Sequence, residues 1–248
     1  MKTPLLCSTL LAALLCVSGG AQASLVGRDI NGNAVAGSDG SAVFLYDNVL
    51  NVTWLRNANA NGAMNWTQAN TWAANLVVGT YDDWRLPTLT PVNGTAFNYN
   101  FTNNGTSDYG YAATGTGWGT ASEMGHLFYV TLGNKGYFTP GAGGSSGFAE
   151  QPGWGLTNTG DFQNLQSDYY WSGLEYAPDT IYAWYFDTIG GDQSYGGKIQ
   201  SLYALAVRPG DVLAPAAVPI PAALPLLLSG LAALGVAGRR RGRRRVEA

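Results

Sequence analysis

The sequence predicts a mixed α+β domain that contains two helices, antiparallel strands and long loops. Two segments have the apolar spacing of short helices and follow a capping residue. Five other segments are short, rich in aromatic and β-branched residues, and bounded by turn-forming residues, as strands are. Long stretches of glycine, asparagine and threonine separate these elements and predict loops.

The first two predicted strands form a hairpin. They cover residues 42–46 and 49–55, and the turn-forming residues Asp47 and Asn48 separate them. This hairpin begins a predicted domain over residues 42–209, which follows a lead-in of residues 24–41.

The first predicted helix follows the hairpin and has Asn65 as its N-cap. Gln68 stands three residues after the cap, as in a capping box. The apolar positions on one helical face are Trp66, Ala69, Trp72, Ala73, Leu76 and Val77. The helix is predicted to end near Val78, with Gly79 as the left-handed residue after it.

The second predicted helix begins at Thr120, where Glu123 would complete another capping box. Its apolar stripe consists of Met124, Leu127, Phe128 and Leu132. Gly133 and Asn134 then stop the helix.

Two long loops and three more strands complete the predicted domain. Residues 88–119 and 139–168 are loops by composition, and loops of such length are usually functional or mobile. The later strands are predicted over residues 169–174, 182–187 and 203–208.

Residues 1–23 have the pattern of a secretory signal peptide. A lysine at position 2 precedes an apolar run over residues 5–17, and Ala-Gln-Ala ends the segment. Cleavage is therefore predicted between Ala23 and Ser24. A first membrane-spanning helix and a lipidated Cys16 are the alternatives.

The predicted exported part, residues 24–217, is acidic, rich in aromatic residues and free of cysteine. Both cysteines lie in the signal peptide, so no disulfide or thiolate metal site is expected. The exported part holds six basic and fifteen acidic residues, a formal charge of −9, and all 30 aromatic residues. This charge disfavours binding to nucleic acid and to anionic lipid.

The end of the chain has three consecutive parts, which follow a linker of residues 210–217. The first part is the motif Val218, Pro219, Ile220 and Pro221. An apolar segment over residues 222–237 follows, and six of the 13 basic residues are clustered after it. Arginines beyond an apolar stretch stay on the cytoplasmic side, so this short segment is predicted to be embedded in the membrane before processing.

In this order the three parts resemble the PEP-CTERM sorting signal, in its VPLPA-type variant, over residues 218–248. The resemblance implies processing by an exosortase in the inner membrane of a Gram-negative bacterium that produces exopolysaccharide. This chain has Ile220-Pro221 where the commoner form has Glu-Pro. A plain C-terminal anchor is the alternative, and in either case the middle of the chain faces away from the cytoplasm.

Three short strings mark the predicted domain: Asp83-Trp84-Arg85-Leu86-Pro87-Thr88, Tyr170-Trp171-Ser172 and Val207-Arg208. In this order they resemble the Lcl C-terminal domain family, and the resemblance covers residues 42–209. It implies a C-type-lectin-like fold and a link to adhesion and glycan contact. The chain departs from the family pattern in the insertion over residues 88–119 and in its lack of cysteines.

Six residues of these strings are predicted to hold the fold. They are Trp84, Arg85, Leu86, Pro87, Trp171 and Arg208. The guanidinium group of Arg85 can bind a carboxylate through two nitrogens and fix the turn that Pro87 stiffens. An acid–base or sugar-binding role for Arg85 with Asp82 and Asp83 is the alternative.

No catalytic residue, metal site or cofactor is predicted. His126 is the only histidine, and a single histidine with no marked nucleophile forms neither a zinc site nor a catalytic triad. It is expected on a helix surface or as a buried polar residue. Six carboxylates fall in the last third of the domain: Asp161, Asp168, Glu175, Asp179, Asp187 and Asp192. Glycoside hydrolysis by two of them and Ca²⁺ binding by several are the alternatives.

Aromatic residues of the two long loops are the predicted ligand-binding residues. They are Tyr109, Tyr111 and Trp118 in the first loop and Trp154 in the second. Tyrosine and tryptophan combine a flat apolar face with a polar group, which suits stacking against sugar rings. The alternative is that these rings fold back and cover the domain.

The sequence therefore predicts an exported, non-enzymatic protein of the cell surface or the extracellular matrix. It would bind glycan or matrix, or support adhesion within a biofilm, in an exopolysaccharide-producing bacterium. A structural surface protein that contacts protein partners is one alternative, and a polysaccharide hydrolase is the other. The expected partners are the exosortase, exopolysaccharide or surface proteins, and the membrane before processing.

Overall fold

Ten strands and two helices are present in the computed structural model, which describes residues 24–141 and 149–213. In chain order they are β1 (Leu25–Arg28), β2 (Ala34–Val35), β3 (Phe44–Asp47), β4 (Val52–Leu55), α1 (Trp66–Ala74), β5 (Phe101–Thr102), β6 (Tyr109–Gly110), α2 (Glu123–His126), β7 (Tyr169–Glu175), β8 (Tyr182–Asp187), β9 (Asp192–Gly197) and β10 (Val207–Pro209). The strands form two sheets, so the predicted α+β class is confirmed.

The first sheet is antiparallel throughout and has the strand order β10–β4–β3–β1–β2. Strands β3 and β4 are the predicted hairpin, with Phe44 opposite Leu55. The connection is longer than the predicted two residues because the Asp47 carboxylate accepts hydrogen bonds from the N–H groups of Val49 and Leu50, both at 3.0 Å. Strands β1 and β2 lie in the lead-in and were not predicted.

The second sheet has the strand order β5–β6–β9–β8–β7, and only β5 and β6 are parallel. Strand β9 was not predicted because its sequence, with two glycines and no β-branched residue, has little strand propensity. It pairs with β8 along its whole length. The strand predicted over residues 203–208 is present only from Val207, and Tyr203 makes an isolated bridge to Tyr170.

Helix α1 begins as predicted and ends earlier. Asn65 and Gln68 form the predicted capping box. The helix stops at Ala74, because Val78 leaves the helical path, pairs with Tyr81 and packs in an apolar cluster around Trp84. Tertiary packing therefore ends the helix earlier than the spacing of its apolar residues predicts.

Helix α2 is shorter than predicted, and its N-cap is Ser122 instead of Thr120. The Ser122 hydroxyl accepts a hydrogen bond from the Gly125 N–H at 3.0 Å. Glu123 does not complete a capping box, since its carboxylate binds Arg85 instead. A π-helical turn over Leu127–Thr131 extends the helix, and Gly133 follows with φ of 66°.

The largest apolar cluster draws on both sheets and on the second helical segment. Trp54 of β4, Phe128 of the π-helical turn and Phe186 of β8 are all buried within it. These contacts join the sheets into one packed unit, which includes the described residues up to Val212.

Several predictions fall on residues outside the described part of the chain. They concern the signal peptide up to Ala23, the apolar segment over residues 222–237 and the sorting motif Val218, Pro219, Ile220 and Pro221. Within residues 24–141 and 149–213, no helix has both the length and the apolar character that crossing a membrane requires.

Candidate ligand-binding surface

Rings from both long loops and from strands β8 and β9 form one continuous chain of contacts, which we name the aromatic strip. Neighbouring ring centroids along the strip lie between 4.7 and 6.2 Å apart. Its members are Phe97, Tyr99, Trp184, Tyr195, Tyr109, Phe101, Tyr111, Phe138, Tyr137 and Trp154. The strip therefore brings together three of the four predicted ligand-binding residues, Tyr109, Tyr111 and Trp154.

The base of the strip lies on the second sheet. Antiparallel pairing places Trp184 of β8 opposite Tyr195 of β9 on one sheet face. Trp184 is buried, and the ring of Tyr99 from the first loop stacks over it with 17° between the ring planes. The sheet thus supplies a rigid support on which the loop rings are arranged.

The first loop reaches the strip because β5 and β6 approach closely at a glycine. Gly110 has φ of 115°, and a Cβ atom built there would lie only 2.0 Å from the carbonyl oxygen of Thr102. Only glycine fits this position. The resulting parallel pair places Phe101 beside Tyr109, with ring centroids 5.4 Å apart.

The second loop is attached through backbone pairing between residues 135–139 and 149–155. The N–H of Gln151 donates to the carbonyl oxygen of Tyr137 at 2.9 Å, and the N–H of Gly155 donates to that of Lys135 at 2.9 Å. The ring of Trp154 then packs edge-on against Tyr137, with centroids 4.7 Å apart. Its indole N–H donates to the Glu150 carboxylate at 2.6 Å.

The outer rings of the strip remain open to solvent in part. Phe101 is 42% exposed, and Tyr109, Tyr111, Tyr137 and Trp154 are partly buried. Contacts between neighbouring rings restrict their side-chain rotamers before any ligand arrives. A surface of this kind loses little conformational entropy when it binds.

Trp118, the fourth predicted ligand-binding residue, is part of the core. Its side chain is 4% exposed and packs edge-on against Tyr129 and Phe186. Its indole N–H donates to the carbonyl oxygen of Ser107 at 2.7 Å. Because the ring is covered, it cannot stack against a ligand at the surface, and the alternative of a loop aromatic folded into the core holds for this residue.

A pair of carboxylates, Asp187 and Asp192, lies beside Tyr111 of the strip. The two residues face each other where β8 and β9 meet, and their carboxyl groups hydrogen-bond to each other. Burial, together with the neighbouring Asp187, raises the pKa of Asp192 to about 8. Burial and both carboxylates raise the pKa of the Tyr111 hydroxyl. The pair therefore keeps a proton near neutral pH, and it lies beside the Tyr111 hydroxyl.

Arg85 binds a carboxylate through two nitrogens, the contact that its predicted structural role requires. Its guanidinium group donates two hydrogen bonds of 2.7 Å to the two carboxylate oxygens of Glu123. The same carboxylate accepts the N–H of Thr88 at 2.8 Å. Arg208 binds Asp83 in the same bidentate manner, at 2.6 and 3.0 Å.

The other string residues predicted to hold the fold are buried. They are Trp84, Leu86, Pro87 and Trp171. The ring of Trp84 stacks on Phe44 of β3, with centroids 5.7 Å apart. The indole N–H of Trp171 donates to the carbonyl oxygen of Met64 at 3.0 Å.

Among the remaining polar candidates, the structure brings one pair of carboxylates together. His126 is buried, and its Nδ1 lies 3.0 Å from the carbonyl oxygen of Gly119. Of the six late carboxylates, Asp187 and Asp192 are brought into direct contact, whereas Glu175 pairs with Lys198. Within the described ranges, no three His, Cys, Asp or Glu side chains lie close enough together to hold a metal ion.

Several strip residues were not identified from the sequence. The signal that was overlooked is an alternation of aromatic residues at Phe97, Tyr99 and Phe101, which is repeated at Tyr109 and Tyr111. Spacing of two residues places side chains on one face of an extended segment. Tyr195, Tyr137 and Phe138 carried no comparable pattern.

Comparison with known proteins identifies one family. The family model of the Lcl C-terminal domain matches residues 44–208. Neither the search of curated proteins nor the search of solved structures found a match.

Proposed function

The chain belongs to the Lcl C-terminal domain family, and on this premise we propose that it is an exported, non-enzymatic protein that binds polysaccharide through the aromatic strip. Family membership agrees with a surface or secreted protein. The predicted signal peptide and sorting signal favour the same location. An exported protein of this kind would contact the glycans of the cell envelope or matrix.

The continuity of the strip is the observation that carries this proposal. Its rings run from Phe97 and Tyr99 in the first loop to Trp154 in the second. A polysaccharide presents successive sugar rings, and an extended row of partly exposed aromatic rings offers successive stacking positions. Aromatic residues scattered over the loops would not offer stacking positions for successive sugar rings.

The geometry of the acidic pair does not favour the alternative of a polysaccharide hydrolase. Asp187 and Asp192 hydrogen-bond to each other. Glycosidases hold their two carboxyl groups about 5 Å apart when they retain configuration, and farther apart when they invert it. Two carboxyl groups in hydrogen-bond contact are closer together than either arrangement requires.

Affinity gel electrophoresis against a panel of soluble polysaccharides tests the proposal. We expect at least one polysaccharide to retard the purified protein. Because aromatic anchors of an interface can contribute more than about 1 kcal/mol, Tyr137→Ala and Trp154→Ala should each weaken binding about tenfold. Both variants should keep the fold, since the two side chains are only partly buried.

Tyr46→Ala is the matched control for these variants. Tyr46 is also partly buried, but it lies on β3 of the first sheet, where its hydroxyl donates to Asn51 at 3.0 Å. Its removal should leave binding unchanged. Equal loss of binding in the control and the strip variants would contradict the proposal, as would a panel in which no polysaccharide retards the protein.

A protein-contacting surface is the second candidate, and a pair of exposed isoleucines favours it. Ile181 and Ile199 are 62% and 92% exposed. They lie at the open end of the β8–β9 hairpin, where the Lys198 N–H donates to the carbonyl oxygen of Ile181 at 3.0 Å. If this surface mediates self-association, Ile199→Asp should lower the sedimentation coefficient without changing polysaccharide binding.

A further inference from the structure

The basic side chains of the described residues are almost all engaged within the fold. Four form ion pairs: Arg28 with Asp211, Arg85 with Glu123, Lys198 with Glu175 and Arg208 with Asp83. The guanidinium group of a fifth, Arg56, is buried and donates to the carbonyl oxygens of Asp39, Ala42 and Asp161. These five side chains therefore already have partners within the fold.

Lys135 is the remaining basic residue in this part of the chain. It is exposed, and the described residues provide it with no ion pair or side-chain hydrogen bond. Its backbone pairs with Gly155, so it stands next to Tyr137 and Trp154 at one end of the strip. Among the described residues, Lys135 is thus the basic side chain that has no partner within the fold.

Carboxylates, in contrast, border the strip along its length. Asp179 is exposed in the turn after Tyr176, whose ring stacks on Tyr195 of the strip. The Asp187 and Asp192 pair lies beside Tyr111 near the middle, and because Asp192 keeps its proton near neutral pH, the pair contributes one negative charge. Glu150 accepts the indole N–H of Trp154 at the other end.

The charge of the whole described domain has the same sign. Residues 24–213 contain six basic and fifteen acidic residues, a formal charge of −9. Like charges across an interface disfavour association and slow the encounter of the partners. A polysaccharide with regularly spaced carboxylate or sulfate groups would be repelled at each repeat.

From this distribution of charge we infer that the strip selects polysaccharides whose sugars carry no acidic groups. The inference rests on the proposed function, because it assigns a ligand class to the same strip. Ring stacking and hydrogen bonding act equally on neutral and acidic sugars, so the surrounding carboxylates determine the selection.

Matched pairs of polysaccharides test the selection. Each pair shares a backbone and differs in charge: hydroxyethyl cellulose with carboxymethyl cellulose, dextran with dextran sulfate, and methyl-esterified with de-esterified pectin. At low ionic strength, about 0.02 M, we expect the less acidic member of any bound pair to bind about tenfold more tightly. The difference in affinity between the two members should be smaller at about 0.5 M salt, because salt screens the repulsion between the protein and the acidic polysaccharide.

Two variants separate this inference from the proposed function. Lys135→Ala removes a cation beside the strip and should widen the difference in affinity within a pair, whereas the double variant Glu150→Gln, Asp179→Asn should narrow it. Tighter binding of the acidic member, weakened by salt and by Lys135→Ala, would overturn the inference while leaving polysaccharide binding intact. Failure of every polysaccharide to bind would instead refute the proposed function, and the inference with it.

Discussion

The carboxyl group of Asp192 is held in its protonated form by its surroundings. Burial, the charge of Asp187 and the hydrogen bond between the two groups raise the pKa of Asp192 to about 8. In the unfolded chain this group has its ordinary value near 3.8. Between these two values the folded protein binds a proton that the unfolded chain has lost. This group therefore lowers stability as pH rises from about 4 to about 8.

Asp192→Asn removes that proton linkage and should alter the pH dependence of stability. Wild-type protein and variant should unfold at similar urea concentrations near pH 5. At pH 9 the variant should be the more stable by about 1 kcal/mol or more, since each pKa unit corresponds to about 1.4 kcal/mol. Urea unfolding followed by tryptophan fluorescence at pH 5, 7 and 9 measures the difference.

Asp179→Asn is the control, because Asp179 is an exposed carboxylate in the turn at the other end of β8. Asp179→Asn therefore measures the background effect of the same substitution outside the buried pair. A stability difference between Asp192→Asn and wild type that stays constant from pH 5 to pH 9 would contradict the assignment of a shared proton to the buried pair.

Gly191, in the same turn, allows a close approach that no other residue would permit. Its φ is 83°, and a Cβ atom would lie 2.8 Å from a ring carbon of Phe128 and 2.9 Å from the hydroxyl of Tyr129. That hydroxyl donates to the Gly191 carbonyl oxygen at 2.6 Å. Gly191→Ala should cost about 2–4 kcal/mol, from backbone strain and overpacking together.

Gly94→Ala measures how much of the destabilisation expected for Gly191→Ala comes from backbone strain alone. Gly94 has φ of 75° and open space around the Cβ position. Its substitution should cost only about 1–2 kcal/mol in thermal unfolding. Equal destabilisation of Gly191→Ala and Gly94→Ala would show that close packing is not the reason why position 191 requires glycine.

At the scale of elements, a bidentate ion pair and two hydrogen bonds of Thr88 attach helix α2 to the Asp83–Thr88 string. The side chain of Glu123 is 10% exposed and that of Arg85 is 36% exposed. Glu123→Gln keeps the size of the side chain and removes its charge, so the Arg85 guanidinium loses its anionic partner. We expect a loss of about 1–3 kcal/mol in chemical unfolding.

The comparable pair between Asp83 and Arg208 gives the control. Asp83 is 48% exposed, so water screens this pair. Asp83→Asn should therefore cost no more than about 1 kcal/mol. A larger loss for Asp83→Asn than for Glu123→Gln would show that the Arg85 pair does not connect the two elements in the way proposed.

Elements with strong local signals could be predicted, and those that depend on distant partners could not. The capping box of Asn65 and Gln68 determines the start of α1 locally. Strand β9 has little intrinsic strand propensity and forms because β8 pairs with it. Glu123 has a suitable position for a capping box, but its carboxylate binds Arg85, which lies 38 residues earlier.

At the scale of the whole molecule, the candidate site was predictable by residue type but not by arrangement. Loop composition and aromatic chemistry identified Tyr109, Tyr111 and Trp154. The same reasoning placed Trp118 with them, because sequence alone does not reveal that its ring packs against Phe186. The continuous strip forms only when the two loops come into contact with each other. Local sequence does not indicate which distant segments will be in contact.

The most direct test of polysaccharide binding by the strip is hydrogen–deuterium exchange of the protein, free and saturated with the polysaccharide that binds it best. The account predicts slower exchange on binding in residues 97–111 and in the paired segments 135–139 and 149–155, with no change in strands β1 to β4. Protection confined to the first sheet, or no protection at all, would contradict it.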